Sequence, residues 1–171
     1  MKWRFALKFL LTFAVLVGIW QAFDVPTLYR TAVLATARSV GPIVNGWWLE
    51  FDQPGVPGGQ AFRSGDERLP MLLQLPALSM GLMPLISLIV ATPGLSWKRI
   101  VPTVALGSVL YLLVHVIVVL AYPPIMAHPN VVKETLGVFS GLVAFVVAPL
   151  GLWFVLTYSA LRALWQLTPQ K

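Results

Sequence analysis

Four long apolar runs are the sequence feature that most constrains this fold. A helix needs about 20 apolar residues to cross ~30 Å of hydrocarbon. Runs 71–91, 101–122 and 135–158 meet that length, and the first run, 9–23, meets it when extended to residue 5 with Lys8 reaching the headgroups. The sequence therefore predicts an all-α membrane protein with four transmembrane helices, at about 5–23, 71–91, 101–122 and 135–158.

Composition argues against the alternative, a soluble protein with several buried helices. Charged residues make up 11% of the chain and apolar residues 58%, whereas soluble domains carry about 25% charged residues. A globule of 171 residues has too small an interior to bury so many apolar side chains. The chain is therefore expected to form a single membrane domain whose first partner is the lipid bilayer.

The distribution of charge predicts the orientation. Short segments at 1–8, 96–100 and 161–171 contain Lys and Arg but no acid, and all six acidic residues lie in the two alternate segments. Short Lys/Arg-rich segments stay in the cytoplasm. Both termini are therefore expected in the cytoplasm, with 24–70 and 123–134 facing outward. The basic residues are scattered at the ends of apolar runs rather than gathered on a stripe, so nucleic acid is not predicted as a partner.

The first run has a second interpretation as a cleaved signal peptide, because it follows a basic start. Past the run, "WQAFD" offers no pair of small residues for cleavage, and "ATA" at 35–37 lies too far along the chain. An uncleaved anchor is the favoured interpretation.

The outward segment 24–70 predicts a helix followed by a short β-hairpin. Asp24 or Thr27 is suited to begin the helix, and Gly41–Pro42 to end it. The next residues alternate, with Trp47, Leu49 and Phe51 on an apolar face, and Trp48, Glu50 and Asp52 on the other. "QPGVPGGQ" predicts the turn, and "AFRSG" the returning strand.

A lone hairpin is marginal in water, so this one needs a surface to pack against. We therefore consider Trp47, Trp48, Leu49 and Phe51 as a partner-docking surface, since tryptophan often dominates interface energetics. The alternative is that the tryptophans anchor the segment in the membrane interface or cover the protein's own helices.

His115 is the one ionisable residue in the last three runs. Intramembrane ionisable groups are functional candidates, so His115 is a candidate polar site; the alternative is packing with one hydrogen bond. No catalytic, cofactor-binding or metal site is predicted, because the chain has no cysteine and two histidines. Ser140 in "FSGL" lacks the glycine two positions earlier that intramembrane serine proteases need, which favours a packing role.

Several features together resemble one known family. The basic N-terminal anchor and the Trp-rich outward strand are followed by "LPALSMGLMPLISLIVATPG", "WKR" and a last span "LVAFVVAPLGLW". This pattern resembles the exosortase H-associated membrane proteins, over most of the chain. The resemblance implies a bacterial inner-membrane protein accompanying a membrane-embedded sorting transpeptidase. It implies no catalytic residues, and the transpeptidases themselves use a cysteine that this chain lacks.

Three functions remain open at this point. The first is a non-enzymatic accessory or scaffold protein of an exosortase-type envelope protein-sorting system, binding the transpeptidase or its substrates. The second is a small transporter or channel subunit that uses His115 and helices kinked at Pro76, Pro84 and Pro149. The third is a membrane enzyme with an unrecognised site.

Overall fold

The computed structural model describes residues 2–51, 60–71, 79–127 and 130–166. Most of these residues are helical, and a small sheet interrupts the helices. The elements, in chain order, are α1 (Lys2–Ala22), α2 (Val25–Val44), β1 (Trp48–Glu50), β2 (Ala61–Ser64), β3 (Glu67–Pro70), α3 (Leu82–Ala91), α4 (Trp97–Met126), α5 (Val131–Leu142), a π-helical turn (Val143–Val147) and α6 (Ala148–Gln166).

Three stretches of helix are long and apolar enough to cross a membrane. They are Trp3–Ala22, Trp97–Met126 and Val131–Arg162. These stretches correspond to the first, third and fourth predicted spans. A mostly helical chain with several potential membrane spans is therefore confirmed.

The second predicted span, 71–91, differs from the helix that the structure contains. Residues 72–78 lie outside the described residues, and α3 has 10 residues, about half the length that a membrane crossing needs. This short helix packs against α1, α4 and α6, and Leu85 and Ile89 are fully buried. Short helices at membrane depth are tolerated where other helices surround them. The count of four spans therefore remains a prediction.

The helical stretch Val131–Arg162 contains a π-helical turn directly before a proline. The Ala148 N–H bonds to the Val143 carbonyl, five residues earlier, as in a π-helix. Pro149 follows at once, and a proline ring would clash with the carbonyl four residues before it in a regular α-helix. The π-helical turn gives this ring room, so α5 and α6 continue as one stretch.

Helix α2 begins as predicted but ends later. Asp24 adopts a left-handed conformation (φ 46°) between α1 and α2, and the Thr27 hydroxyl donates to its carboxylate at 3.0 Å. The predicted end at Gly41–Pro42 is wrong, because α2 continues to Val44 with Pro42 inside it. Pro42 removes one N–H from the last turn, but the Asn45 N–H still donates to the Gly41 carbonyl at 2.9 Å.

The predicted hairpin is confirmed as part of a larger sheet. Strands β1 and β2 are antiparallel, with Leu49 opposite Phe62; residues 52–59 of the predicted turn lie outside the described residues. A third strand, β3, pairs antiparallel with β2 after a turn at Gly65 (φ 58°). The sheet packs on α4 through Phe62, whose ring stacks on Tyr122 at 5.9 Å between centroids.

Candidate functional site

The four residues of the predicted docking surface separate into two groups. Leu49 is 3% exposed, and Trp47 and Phe51 are half-buried against the same core. That core includes Val33 and Leu34 of α2 and Val119 of α4. The apolar face thus covers the protein's own helices. Trp48 lies on the opposite face and is 60% exposed.

Asn45 fixes this sheet to the helices. Its side-chain Nδ2 donates to the Leu120 carbonyl of α4 at 2.6 Å, and its Oδ1 accepts from the Trp47 N–H at 3.0 Å. The Leu120 carbonyl is available because the residue four positions later is Pro124, which has no N–H to donate. One side chain therefore joins α2, the start of the sheet and α4.

Gly41 allows α2 and the sheet to approach closely. A Cβ placed on Gly41 would lie 2.8 Å from the Trp47 carbonyl oxygen. Because that oxygen belongs to the backbone, it cannot move aside as a flexible side chain would. Gly41 and Asn45 together hold Trp48 in a defined position above α2.

A cleft of about 1020 Å³ opens beside Trp48, between α2 and the sheet. Arginines from α2 and from the sheet line this cleft together with the exposed apolar side chains of Ile43 and Trp48. The lining residues are Arg38, Ser39, Pro42, Ile43, Trp48, Leu49, Glu50, Phe51, Arg63 and Gly65. The Arg38 guanidinium lies 5.3 Å from the centroid of the Phe51 ring, which is within the range of a cation–π interaction. We call this space the arginine cleft.

A smaller cleft of about 530 Å³ adjoins the arginine cleft, and the two share Arg38, Ser39 and Phe51. Its lining adds Arg30 from the preceding turns of α2 and the buried side chain of Gln60. The two clefts thus form a continuous trough along the polar side of α2.

Positive charge exceeds negative charge along this trough. The one ion pair among the described residues joins Arg63 Nη1 to Glu50 Oε1 at 3.5 Å, and Arg63 Nε also donates to the Gly65 carbonyl at 3.1 Å. Arg30 and Arg38 have no acidic partner within the described part of the chain. The described lining therefore supplies three guanidinium groups and one carboxylate.

His115 lies in a separate, fully buried cluster. Its Nδ1 and the Tyr29 hydroxyl of α2 share a hydrogen bond at 2.7 Å, and the Tyr111 ring contacts it edge-on at 4.4 Å between centroids. Nε2 of His115 and the Tyr111 hydroxyl are buried without a hydrogen-bond partner in the described structure. The sequence did not identify Tyr29 as the partner, because it precedes His115 by 86 residues.

The Tyr29 hydroxyl is best assigned as the donor in this pair. If Tyr29 donates to Nδ1, the Nε2–H of His115 is the one group of the pair left unpaired. The reverse arrangement would leave both the Tyr29 hydrogen and the Nε2 lone pair unpaired, and each buried unpaired group is costly. The cluster therefore gives His115 one hydrogen bond, joining α2 to α4.

The Ser140 hydroxyl donates to the Gly137 carbonyl of its own helix at 2.8 Å, which uses its proton in a local bond. Among the residues described, no three His, Asp or Glu side chains are grouped as a metal ion would require.

Comparison with known proteins identifies no relative, since no protein-family model, curated protein or solved structure matches this chain.

Proposed function

We propose that this protein is a non-enzymatic accessory or scaffold subunit of an envelope protein-sorting system in the bacterial inner membrane. Its partner is a membrane-embedded sorting transpeptidase or a substrate of that enzyme. The resemblance of the sequence pattern to the exosortase H-associated membrane proteins supports this role, and the observation that carries the docking role is Trp48. A side chain of this size, 60% exposed on a sheet that Asn45 fixes to the helices, is the kind of preorganised anchor that protein interfaces use.

Orientation is part of the proposal. The acid-free basic segments favour cytoplasmic termini, with α3 and the residues before it completing a fourth crossing. The sheet and Trp48 then lie on the outer side of the membrane. There they meet proteins that have been translocated, which is where a sorting subunit acts.

A matched pair of variants tests the docking role. Trp48→Ala removes the exposed ring, whereas Trp47→Ala removes a neighbouring ring that packs on the core. Full-length protein is purified from cells that also contain the transpeptidase, and co-purification is measured at equal membrane abundance. We expect Trp48→Ala to keep normal abundance and to reduce co-purification by about tenfold or more, the loss of a single interface anchor.

Trp47→Ala is the control for destabilisation, and it is expected to lower abundance through lost packing. Normal co-purification of the Trp48→Ala protein would contradict the docking role. It would leave Trp48 as an interfacial membrane anchor.

A further inference from the structure

The geometry points to an anionic phospholipid of the outer leaflet as the ligand of the arginine cleft. We infer that its phosphate binds Arg38 and Arg63, and that its acyl chains leave the cleft across Ile43 and Trp48. This site shares Trp48 with the proposed partner docking but is tested through its arginines. It uses the proposed topology to name the leaflet.

Charge supplies the first argument. Arg38 comes from α2 and Arg63 from β2, so two arginines from different elements line one cleft. Glu50 offsets part of this charge, but its contact with Arg63 is long, at 3.5 Å, and Arg38 has no acidic partner in the described residues. Guanidinium groups bind phosphate oxygens through paired, charge-assisted hydrogen bonds. The cleft is thus suited to one anionic headgroup.

The apolar part of the lining supplies the second argument. Ile43 is 86% exposed and Trp48 60% exposed, and both line the same cleft as the arginines. An acidic peptide or a free phosphate would leave these side chains in water. A phospholipid covers them with its acyl chains while its phosphate reaches the arginines, so the lining matches an amphiphile.

Position supplies the third argument. The end of α2 lies against the last turns of the apolar stretch of α4, since the Asn45 side chain bonds to the Leu120 carbonyl and that stretch ends at Tyr122. Beside it, Val44 is 63% exposed. The mouth of the cleft therefore lies at the level where acyl chains meet headgroups, as expected for a helix lying in the interface.

Lipid retention by the purified full-length protein tests this inference. Native mass spectrometry is used to compare phosphatidylglycerol with phosphatidylcholine, and glycerol 3-phosphate is added as a competitor. We expect phosphatidylglycerol to be retained preferentially. The double variant Arg38→Gln, Arg63→Gln is expected to weaken its binding by about tenfold or more, because charge-assisted hydrogen bonds are lost.

Two further variants make the result specific. Arg68→Gln with Lys133→Gln removes the same charge from residues that do not line the cleft, and it should bind lipid as the wild type does. Arg38→Lys with Arg63→Lys keeps the charge but loses the paired hydrogen bonds of the guanidinium groups. It should therefore weaken lipid binding, by less than the Gln pair does, and this weakening tests the site if the Gln pair fails to fold.

Three results would overturn the inference. Equal loss in the Arg68, Lys133 control would indicate general charge attraction. Displacement of the lipid by an equal concentration of glycerol 3-phosphate would indicate a soluble phosphate ligand. Binding of an acidic peptide without retention of phosphatidylglycerol would indicate a protein ligand.

Discussion

The Tyr29 hydroxyl lies 2.7 Å from Nδ1 of His115, although 86 residues separate the two in the chain. His115 is fully buried and Tyr29 is 7% exposed. The hydrogen bond connects α2, the helix that carries Arg30 and Arg38, to the middle of α4. His115, a functional candidate by sequence, thus makes a hydrogen bond that joins α2 to the long helix.

This pair leads to a prediction about stability. Tyr29→Phe should lower the free energy of unfolding by about 1–2 kcal/mol, because it leaves the buried imidazole without its partner. The measurement is unfolding of the purified protein in detergent. Tyr158→Phe, at an exposed ring, is the matched control and should have little effect.

A double variant separates the hydrogen bond from packing. Tyr29→Phe combined with His115→Leu removes both polar partners, so its destabilisation should be smaller than the sum of the two single losses. Strictly additive losses would mean that the two side chains do not interact in the folded protein. The pair would then contribute packing alone.

The parts of the fold that sequence predicted depend on local periodicity. Apolar runs located the three long helices, and the alternation around Leu49 located β1 and its buried face. These elements can be predicted from the sequence because each of them must keep an apolar face away from water, whatever packs against that face. The docking surface was predicted less well, since alternation shows that a face is apolar but not whether the chain itself covers it.

The features that sequence missed depend on contacts between distant residues. Strand β3 has four residues and begins with Glu67 and Arg68, so its pairing with β2 has no apolar signature. The arginine cleft requires Arg38 and Arg63 to meet across two elements. At Gly81, just before α3, a Cβ would collide with the Tyr111 hydroxyl, and a run of apolar residues in the sequence does not show this close packing.

Membrane topology gives the second prediction. Reporter fusions after Lys171 and within residues 53–59 should report opposite sides of the membrane, because three of the four predicted crossings lie between these two positions. If α3 and its preceding residues do not cross, the count falls by one and both fusions report the same side. The experiment therefore tests the fourth span and the orientation together.

The third prediction concerns the Asn45 side chain and the Leu120 carbonyl, which lie 2.6 Å apart between Nδ2 and O. Asn45→Ala removes the donor, and this part-buried carbonyl has no helical partner because Pro124 lacks an N–H. We expect a loss of about 1–3 kcal/mol in the free energy of unfolding, the cost of a buried acceptor left unpaired. Detergent unfolding of the full-length protein measures it.

Pro124→Ala provides the matched background for this test. Pro124 is exposed, and alanine there supplies the N–H that a regular helix donates to the carbonyl four residues earlier. In the Pro124→Ala protein, Asn45→Ala should therefore cost clearly less than in the wild type. An equal cost in both backgrounds would mean that Asn45 stabilises the fold through its bond to the Trp47 N–H, at 3.0 Å, rather than through the Leu120 carbonyl.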